Sequence, residues 1–416
     1  MVTPGQVSVS ICLLAVLMPS YALALTLQQA EQIALQDDPA VAVFSARADA
    51  HQQQSIAAQT LPDPQLRLGV FNLPTDTFDI EQEPSTQLRL GVQQMFPRGN
   101  SREISAQQQR LQAQATRQLA TDARLRLLRD VRVAFLNLYY ETQATNIIRD
   151  SRALFKQLVS ITQDRYASGR ANQQDVIRAS LELSRLDDRY TRILGMQDQY
   201  RAELMQWLGD YAQQDLDEAF PSLPELPALD DPDSLITRHP LIRAEHAAVD
   251  AEKTQVDMAK QEYSPGVSAF VEYRERFGEN MDGSDRSDML AAMVTMDIPL
   301  FTGDRQDRNV AASEGRVNAA RYALDDRLRG LKQQLDRYLA AYQRAEQRDL
   351  HYRNTLLDTA EDNSRGALNA YQSGVSEFTG LMRAQMTELD VRLEALRIQV
   401  DKAIAHTRLL YVSGEQ

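Results

Sequence analysis

The chain of 416 residues contains a single cysteine, Cys12, which lies in an apolar run, 7–18, near the N-terminus. The run is about 12 residues long, too short to cross a bilayer as a helix, which needs about 20. Residues 22–24 (Ala-Leu-Ala) follow as a small-x-small cleavage site, although no Lys or Arg precedes Arg47. We therefore expect residues 1–24 to be a signal peptide for export. The mature chain then has no cysteine, which excludes disulfides, thiolate metal sites and cysteine nucleophiles.

Long apolar segments, aromatic residues and catalytic motifs are also scarce. Aromatic residues make up 6% of the chain, and no later apolar stretch reaches about 18 residues, so no transmembrane helix is predicted. The net charge of −13 argues against a nucleic-acid partner. No H-E-x-x-H motif, phosphate-binding glycine loop or nucleophile elbow occurs, and the histidines are scattered. The sequence therefore predicts neither an enzyme nor a cofactor or resident metal.

Proline is absent from two tracts of more than 100 residues, 98–220 and 300–416. Because a proline in a helix interior costs about 3 kcal/mol, such tracts favour very long helices. Apolar residues recur in them at the spacing of helices that pack lengthwise. In the first tract they include Leu127, Val131, Ala134 and Leu138.

The predicted long helices span 100–166 and 304–371. At 1.5 Å per residue, a helix of about 67 residues is about 100 Å long. This length is far greater than the thickness of a bilayer, but it suits an element that crosses a periplasm.

The sequence repeats itself with a period of roughly 201–205 residues. The matching landmarks are Asp38-Pro39 with His239-Pro240, Phe96-Pro97 with Ile298-Pro299, Tyr166 with Tyr371, and Arg178-Ala179 with Arg383-Ala384. We therefore expect two copies of one helix–hairpin–helix unit, residues 25–219 and 233–416, joined by a proline-rich connector, 220–232.

Each copy contains two strand-like pieces in which apolar and polar residues alternate, at about 65–72, 86–96, 265–275 and 288–298. They have the length of tilted membrane strands, although a soluble, half-exposed hairpin shows the same alternation. Four strands cannot close a barrel, and each unpaired backbone group at a strand edge costs several kcal/mol in lipid. The chain could therefore span a membrane only by pooling its strands with copies of itself, about eight from two chains or twelve from three.

The signal peptide, the duplicated plan and the two Tyr-x-Ser-Gly turns make the sequence resemble the TolC-type outer-membrane efflux family over essentially the whole mature chain. The resemblance implies a fold that is mainly α with a small β part. Its long coiled-coil α-helical barrel is continuous with a membrane β-barrel, to which each chain contributes four strands. It also implies a homotrimer in the outer membrane that extends into the periplasm. The implied partners are outer-membrane lipid, a periplasmic adaptor (membrane fusion protein) and an inner-membrane efflux pump of the RND type.

Four stretches, 62–66, 72–78, 82–84 and 95–99, are similar to the heavy-metal cation (CusC/CzcC) branch of this family. The resemblance to this branch implies heavy-metal cations as the transported substrate.

The Tyr-x-Ser-Gly turns stand where each long helix must reverse, and glycine allows the positive φ that a helix C-terminus often needs. A helix cap with no further role is one interpretation. In the family, these turns form the periplasmic tip, which touches the adaptor and forms the gate. The resemblance therefore implies that the docking residues are Tyr166, Ser168, Gly169, Arg170, Tyr371, Ser373, Gly374 and Val375.

Some family members narrow the tunnel with paired aspartates about 9 and 12 residues after the second tip tyrosine. In this chain, Gly380 and Arg383 occupy those two positions. In the first copy, Asp175 occupies the position equivalent to Gly380, nine residues after Tyr166. Threefold symmetry would turn Asp175 or Glu377 into a ring of three carboxylates, which attracts cations. The gate candidates are therefore Asp175, Glu377 and Arg383, with ordinary solvated helix surface as the alternative.

A periplasmic adaptor or coiled-coil scaffold of an export complex is the alternative function, because such proteins also contain long helical hairpins. An adaptor usually has one hairpin flanked by Gly/Val-rich β domains. The duplication and the four amphipathic strands favour the channel.

Overall fold

A computed structural model describes residues 24–36, 38–228 and 231–415. The predicted signal peptide, with Cys12, lies outside these residues except for Ala24. In chain order, the helices are α1 (Leu27–Gln36), α2 (Pro39–Ala57), α3 (Ser101–Ala167), α4 (Gln173–Leu208), α5 (Pro232–Arg238), α6 (Pro240–Gln261), α7 (Gln306–His351), α8 (Leu357–Gln372) and α9 (Phe378–Ser413). The strands are β1 (Gln65–Phe71), β2 (Gln87–Phe96), β3 (Gly266–Arg276) and β4 (Met289–Asp297).

Helix α3 is the longest element, with 67 residues, or about 100 Å at 1.5 Å per residue. It packs against α2, α4, α6 and α9, so it contacts helices from both halves of the chain. Its stripe of Leu127, Val131, Ala134 and Leu138 is buried in a core shared with α1, α4 and α9. Among the described residues, no helix is both long and apolar enough to cross a membrane.

The four strands form one antiparallel sheet in the order β1-β2-β3-β4, so the hairpins of the two copies pair through β2 and β3. Register places Leu68, Leu90, Tyr273 and Leu290 in one row on the same face. This face is apolar and exposed, with Leu68 71% and Leu290 75% accessible. The observed strand ends differ by one residue from most of those predicted, because alternation alone does not mark where pairing stops.

The two copies have the same order of elements, with α2, β1, β2, α3 and α4 repeated as α6, β3, β4, α7–α8 and α9. They differ in the long helix, since α7 and α8 are joined by a π-helical turn, Tyr352–Leu356. Gly99 and Gly303 are the equivalent glycines that precede the long helix in each copy. The first copy has 68 residues after Gly99, up to the end of α3 at Ala167, and the second has 69 after Gly303, up to the end of α8 at Gln372. The wider π turn accommodates the extra residue without ending the helix. The uninterrupted α-helix expected over 304–371 is therefore corrected to two α-helices with a π turn between them.

The buried ring of His239 joins the start of α6 to the end of α9. Its Nδ1 accepts a hydrogen bond from the Leu241 amide at 3.2 Å, and its Nε2 donates to the Tyr411 carbonyl at 3.0 Å. The Tyr411 hydroxyl in turn donates to Asp122 of α3 at 3.1 Å, and Arg126 pairs with the same carboxylate at 2.8 Å. Because Nδ1 faces an N–H group, this arrangement requires the neutral ring.

Burial lowers the pKa of His239 from its ordinary value of 6.5, more than the nearby Asp122 carboxylate raises it. The unfolded chain therefore binds a proton more readily than the folded chain, and stability is lost as the pH falls below about 6.5. We expect the unfolding temperature of the detergent-solubilised protein to drop between pH 7.5 and 5.5, about the range of histidine titration. His239→Asn, which keeps a capping side chain, should reduce this drop.

The matched control is His246→Asn, because His246 is exposed on the same helix. It should leave the acid sensitivity unchanged. Burial also lowers the pKa of His406, so some sensitivity remains in the His239 variant. An identical pH profile for His239→Asn and the parent protein would contradict this interpretation.

Candidate functional site at the helical tip

The two helix reversals have the same backbone structure. Gly169 and Gly374 have φ angles of +72° and +78°. The Gly169 amide donates to the Tyr166 carbonyl and the Arg170 amide to the Arg165 carbonyl. In the second copy, the Gly374 amide donates to Tyr371 and the Val375 amide to Ala370. Both are Schellman caps, in which a glycine with positive φ lets the last helical carbonyls be satisfied.

The serines of the two turns complete these caps. Ser168 Oγ donates to the Arg165 carbonyl at 3.0 Å, and Ser373 Oγ donates to the Asn369 carbonyl at 2.9 Å. The Ser-Gly pair is therefore explained by local hydrogen bonding, which is the capping interpretation of the sequence. Ser168, Ser373 and both glycines are also exposed, so the caps remain accessible at the end of the molecule.

The two tip tyrosines lie in different environments, although the sequence makes them equivalent. Tyr166 is 48% exposed, whereas Tyr371 is 6% exposed and packs edge-on against Phe378, with ring centroids 5.6 Å apart. The Arg165 guanidinium lies 4.5 Å from the centre of the Tyr371 ring, and its Nη1 donates to the Tyr371 carbonyl at 3.4 Å. Arg165 therefore holds the reversal of the first copy against that of the second. Tyr371 is buried in this contact and acts mainly in packing.

A cleft of about 680 Å³ lies between the two reversals. It is lined by three arginines, Arg165, Arg170 and Arg178, and by the carboxylates Asp175 and Glu377. The arginines outnumber the carboxylates within this lining, and all three belong to the first repeat, as Asp175 does, whereas Glu377 comes from the second.

Only part of the predicted site comes together around this cleft. Gly169, Arg170, Tyr371, Gly374, Asp175 and Glu377 line it. Arg383 instead lines a neighbouring groove of about 490 Å³ between α4 and α9. Tyr166 and Val375 lie outside both linings, and Val375 is 83% exposed.

Two arginines that the sequence did not mark as functional connect the repeats near the tip. Arg178 Nη1 donates to Thr379 Oγ1 at 2.8 Å, and Arg189 pairs with Asp390 at 2.8 Å. Both contacts join α4 to α9. The Arg178-Ala179 landmark marks the first position, but only the fold shows which residue it contacts.

Gly374→Ala should destabilise the second reversal, because a β-carbon at this positive φ costs about 1–2 kcal/mol. We expect faster amide hydrogen exchange around residues 371–377, measured by mass spectrometry. The space around Gly374 is open, so the backbone alone decides the outcome.

Gly366→Ala is the matched control, since Gly366 lies inside α8 with equally open surroundings. Alanine is favoured over glycine in a helix by roughly 0.5–1 kcal/mol, so this variant should slow exchange or leave it unchanged. Equal exchange in the two variants would disprove the role of the positive φ at Gly374.

Comparison with known proteins supports this architecture. Residues 232–415 match the family described as outer membrane efflux protein. The solved structure of CusC, described as forming a transmembrane channel, has a TM-score of 0.82 at 15% identity over 95% of this chain and 93% of its own. VceC of Vibrio cholerae has a TM-score of 0.78 at 18% identity over 94% and 96%. The MtrE channel of Neisseria gonorrhoeae has a TM-score of 0.75 at 17% identity over 94% and 89%.

No curated protein matches the sequence significantly. The solved structures confirm the predicted fold, mainly helical with four strands per chain and two repeated halves. The match to an outer membrane efflux family confirms the predicted outer-membrane location and the assignment to efflux proteins rather than enzymes. The family model covers the second repeat, and the fold shared with these solved structures covers both repeats.

Proposed function

We propose that this protein is the outer-membrane channel of a tripartite efflux system and that three copies form one conduit. The observation that carries the proposal is the single four-stranded sheet, in which β1 and β4 each pair on one side only within the described residues. In lipid, such edges require partners. Copies of the same chain can supply them, because β1 of one copy can pair with β4 of the next.

The apolar face of the sheet supports a position in lipid. Its middle rows are apolar and uncharged, as in Leu68–Leu90–Tyr273–Leu290 and Leu66–Val92–Val271–Ala292, and its charged residue within the described strands, Glu275, lies near the end of β3. A surface of this kind on a protein in water would be an aggregation hazard. The hydrocarbon of a bilayer provides the burial that the isolated chain lacks.

The helices supply the periplasmic part. Helix α3 begins five residues after the end of β2 at Phe96 and runs about 100 Å to the first reversal. We place the adaptor at the reversals, with Tyr166, Arg170, Val375 and the capping Ser-Gly pairs as contact residues. Tyr371 then supports this surface from below, and the inner-membrane pump, of the RND type, lies beyond the adaptor.

For the gate, we propose that the cleft arginines and the carboxylates of Asp175 and Glu377 rearrange when the tip opens. Arg178 and Arg165 hold α4 and the first reversal against the second repeat. Arg383, in the neighbouring groove, lies close enough to respond to the same movement, since Arg178 lines both spaces. The proposed substrate is heavy-metal cations, which rests on the sequence resemblance to that branch of the family.

Leu68→Arg combined with Leu90→Arg should prevent assembly in the outer membrane. Each arginine on a lipid face costs about 2–4 kcal/mol at mid-membrane, and the two positions are register partners. The measurement is the mass of the detergent complex from isolated outer membranes, which should equal three mature chains for the parent protein and be lost in the variant.

The control is Gln65→Arg combined with Gln87→Arg, in the same strands but on the opposite face. It should still yield the trimer. A soluble monomer from the parent chain, or normal insertion of the Leu68 and Leu90 variant, would refute the channel.

Val375→Asp should weaken export without changing the trimer, because it puts a charge on the surface proposed to bind the adaptor. Export is measured in cells that carry the cognate pump and adaptor, with crosslinking to the adaptor as the second readout. Met281→Asp is the control, as Met281 is also fully exposed but lies in the loop between β3 and β4. Equal export by the two variants would argue against docking at this tip.

A further inference from the structure

The polar face of the sheet carries an excess of positive charge at mid-strand. Register aligns Arg67, Gly91, Glu272 and Ala291 in one row. The next row on the same face contains Gly69, Arg89, Arg274 and Met289, about 7 Å further along the strands. The two rows therefore contain three arginines, which we call the arginine belt (Arg67, Arg89 and Arg274), and one carboxylate.

Two of the belt arginines are fixed on aromatic rings. The Arg89 guanidinium carbon lies 3.8 Å from the centre of the Phe71 ring, and that of Arg67 lies 5.3 Å from the Phe270 ring. Contacts of this kind are attractive, because the face of an aromatic ring carries partial negative charge. They hold the charges at defined positions along the face.

The rings are themselves held over glycines. A β-carbon at Gly91 would lie 2.7 Å from the Phe270 ring, so any larger residue would displace it. A β-carbon at Gly69 would lie 3.5 Å from the Phe71 ring. Each unit is thus a glycine, an aromatic ring and a guanidinium in a stack, and this repeated construction indicates a built surface rather than scattered arginines.

The single carboxylate cannot neutralise the belt. Glu272 is 7% exposed and pairs with Arg274 and, at 4.0 Å, with Arg89. Arg67 has an amide partner instead, since it donates to Gln93. At the ends of the strands on the same face, the charge of Asp297 is neutralised by Arg98, with 3.4 Å between the paired atoms. Arg276 donates a hydrogen bond to the Pro84 carbonyl. The middle of the face keeps two net positive charges per chain.

We propose that the arginine belt lines the pore and makes the open channel select anions over cations. This inference rests on the proposed function, because the polar face becomes the lumen only when copies close the sheet. Three copies would bring nine belt arginines against three Glu272 carboxylates, since each chain contributes three and one. Rings of arginine in a low-dielectric wall attract anions and repel hydrated cations.

The rest of the chain predicts the opposite preference. Its net charge is −13, and the loops that join the paired strands are rich in Asp and Glu. The acidic residues of these loops are Asp76, Asp79, Glu81, Glu83, Glu279, Asp282, Asp285 and Asp288. An acidic mouth would draw cations towards the pore. The sign of the selectivity therefore shows which of the two charge groups controls permeation, and a chloride-selective pore would argue against heavy-metal cations as the transported substrate.

The test is the reversal potential of single channels in a neutral planar bilayer under a KCl gradient, at about 0.1 M, where the Debye length is about 10 Å. The parent trimer should pass chloride in preference to potassium. Arg67→Gln, which removes a belt charge that has no acidic partner, should lower the chloride-to-potassium permeability ratio by about twofold. In about 1 M salt, where the Debye length is about 3 Å, the preference should fade.

Arg192→Gln is the control, because it removes the same charge from α4, which contacts no strand within the described residues. It should leave the ratio unchanged. Glu272→Gln should raise the ratio, which provides a second readout if Arg67→Gln does not assemble. All proteins are also measured with Arg178→Ala, which removes a contact between α4 and α9 beside the tip cleft and so favours an open tip under the proposed gate.

The outcomes separate the two proposals. Trimers whose current prefers potassium, or whose ratio is the same in Arg67→Gln and Arg192→Gln, would overturn the belt and leave the channel standing. The absence of trimers, or of current even with Arg178→Ala, would overturn the channel and the belt together.

Discussion

The unpaired backbone edges of β1 and β4 are the constraint on which the rest of the architecture depends. A backbone N–H or C=O group in hydrocarbon must find an internal partner, and four strands cannot provide partners at both ends of their own sheet. The pairing of β2 with β3 already uses the inner edges of the two hairpins. Only the outer edges remain within the described part of the chain, so under the proposed function the chain reaches a closed structure through other copies of itself.

The two faces of the same sheet meet different requirements. The row Leu68–Leu90–Tyr273–Leu290 is accessible and apolar, as a lipid contact requires. On the other face, glycines make room for aromatic rings, and the rings hold guanidinium groups. Because neighbouring residues of a strand point to opposite faces, the proposed lipid contact and the charge of the proposed pore lining can change independently.

Much of the fold could be predicted from local features of the sequence. The proline-free tracts correspond to the long helices, because proline is costly at nearly every position inside a helix. The alternation of β1 and β2 shows which residues share a face, and the tip glycines identify the positions of positive φ. Each of these features depends on a few neighbouring residues.

The remaining features depend on contacts between residues far apart in the chain. Tyr166 and Tyr371 occupy equivalent positions in the repeat, yet one is exposed and the other is buried under Arg165. Likewise, the Phe270 ring covers Gly91 only because β3 pairs with β2 in one register. Neither relation has a signature in sequence spacing, since both arise where the first copy packs against the second.

The π turn at Tyr352–Leu356 bears on how a duplicated gene can diverge. In an unbroken α-helix, one inserted residue turns every later side chain by about 100° and moves it about 1.5 Å along the axis. The apolar stripe beyond the insertion would then miss its neighbours. A local bulge confines the disturbance to one turn, so one copy can gain a codon while both ends of its helix keep their ancestral contacts.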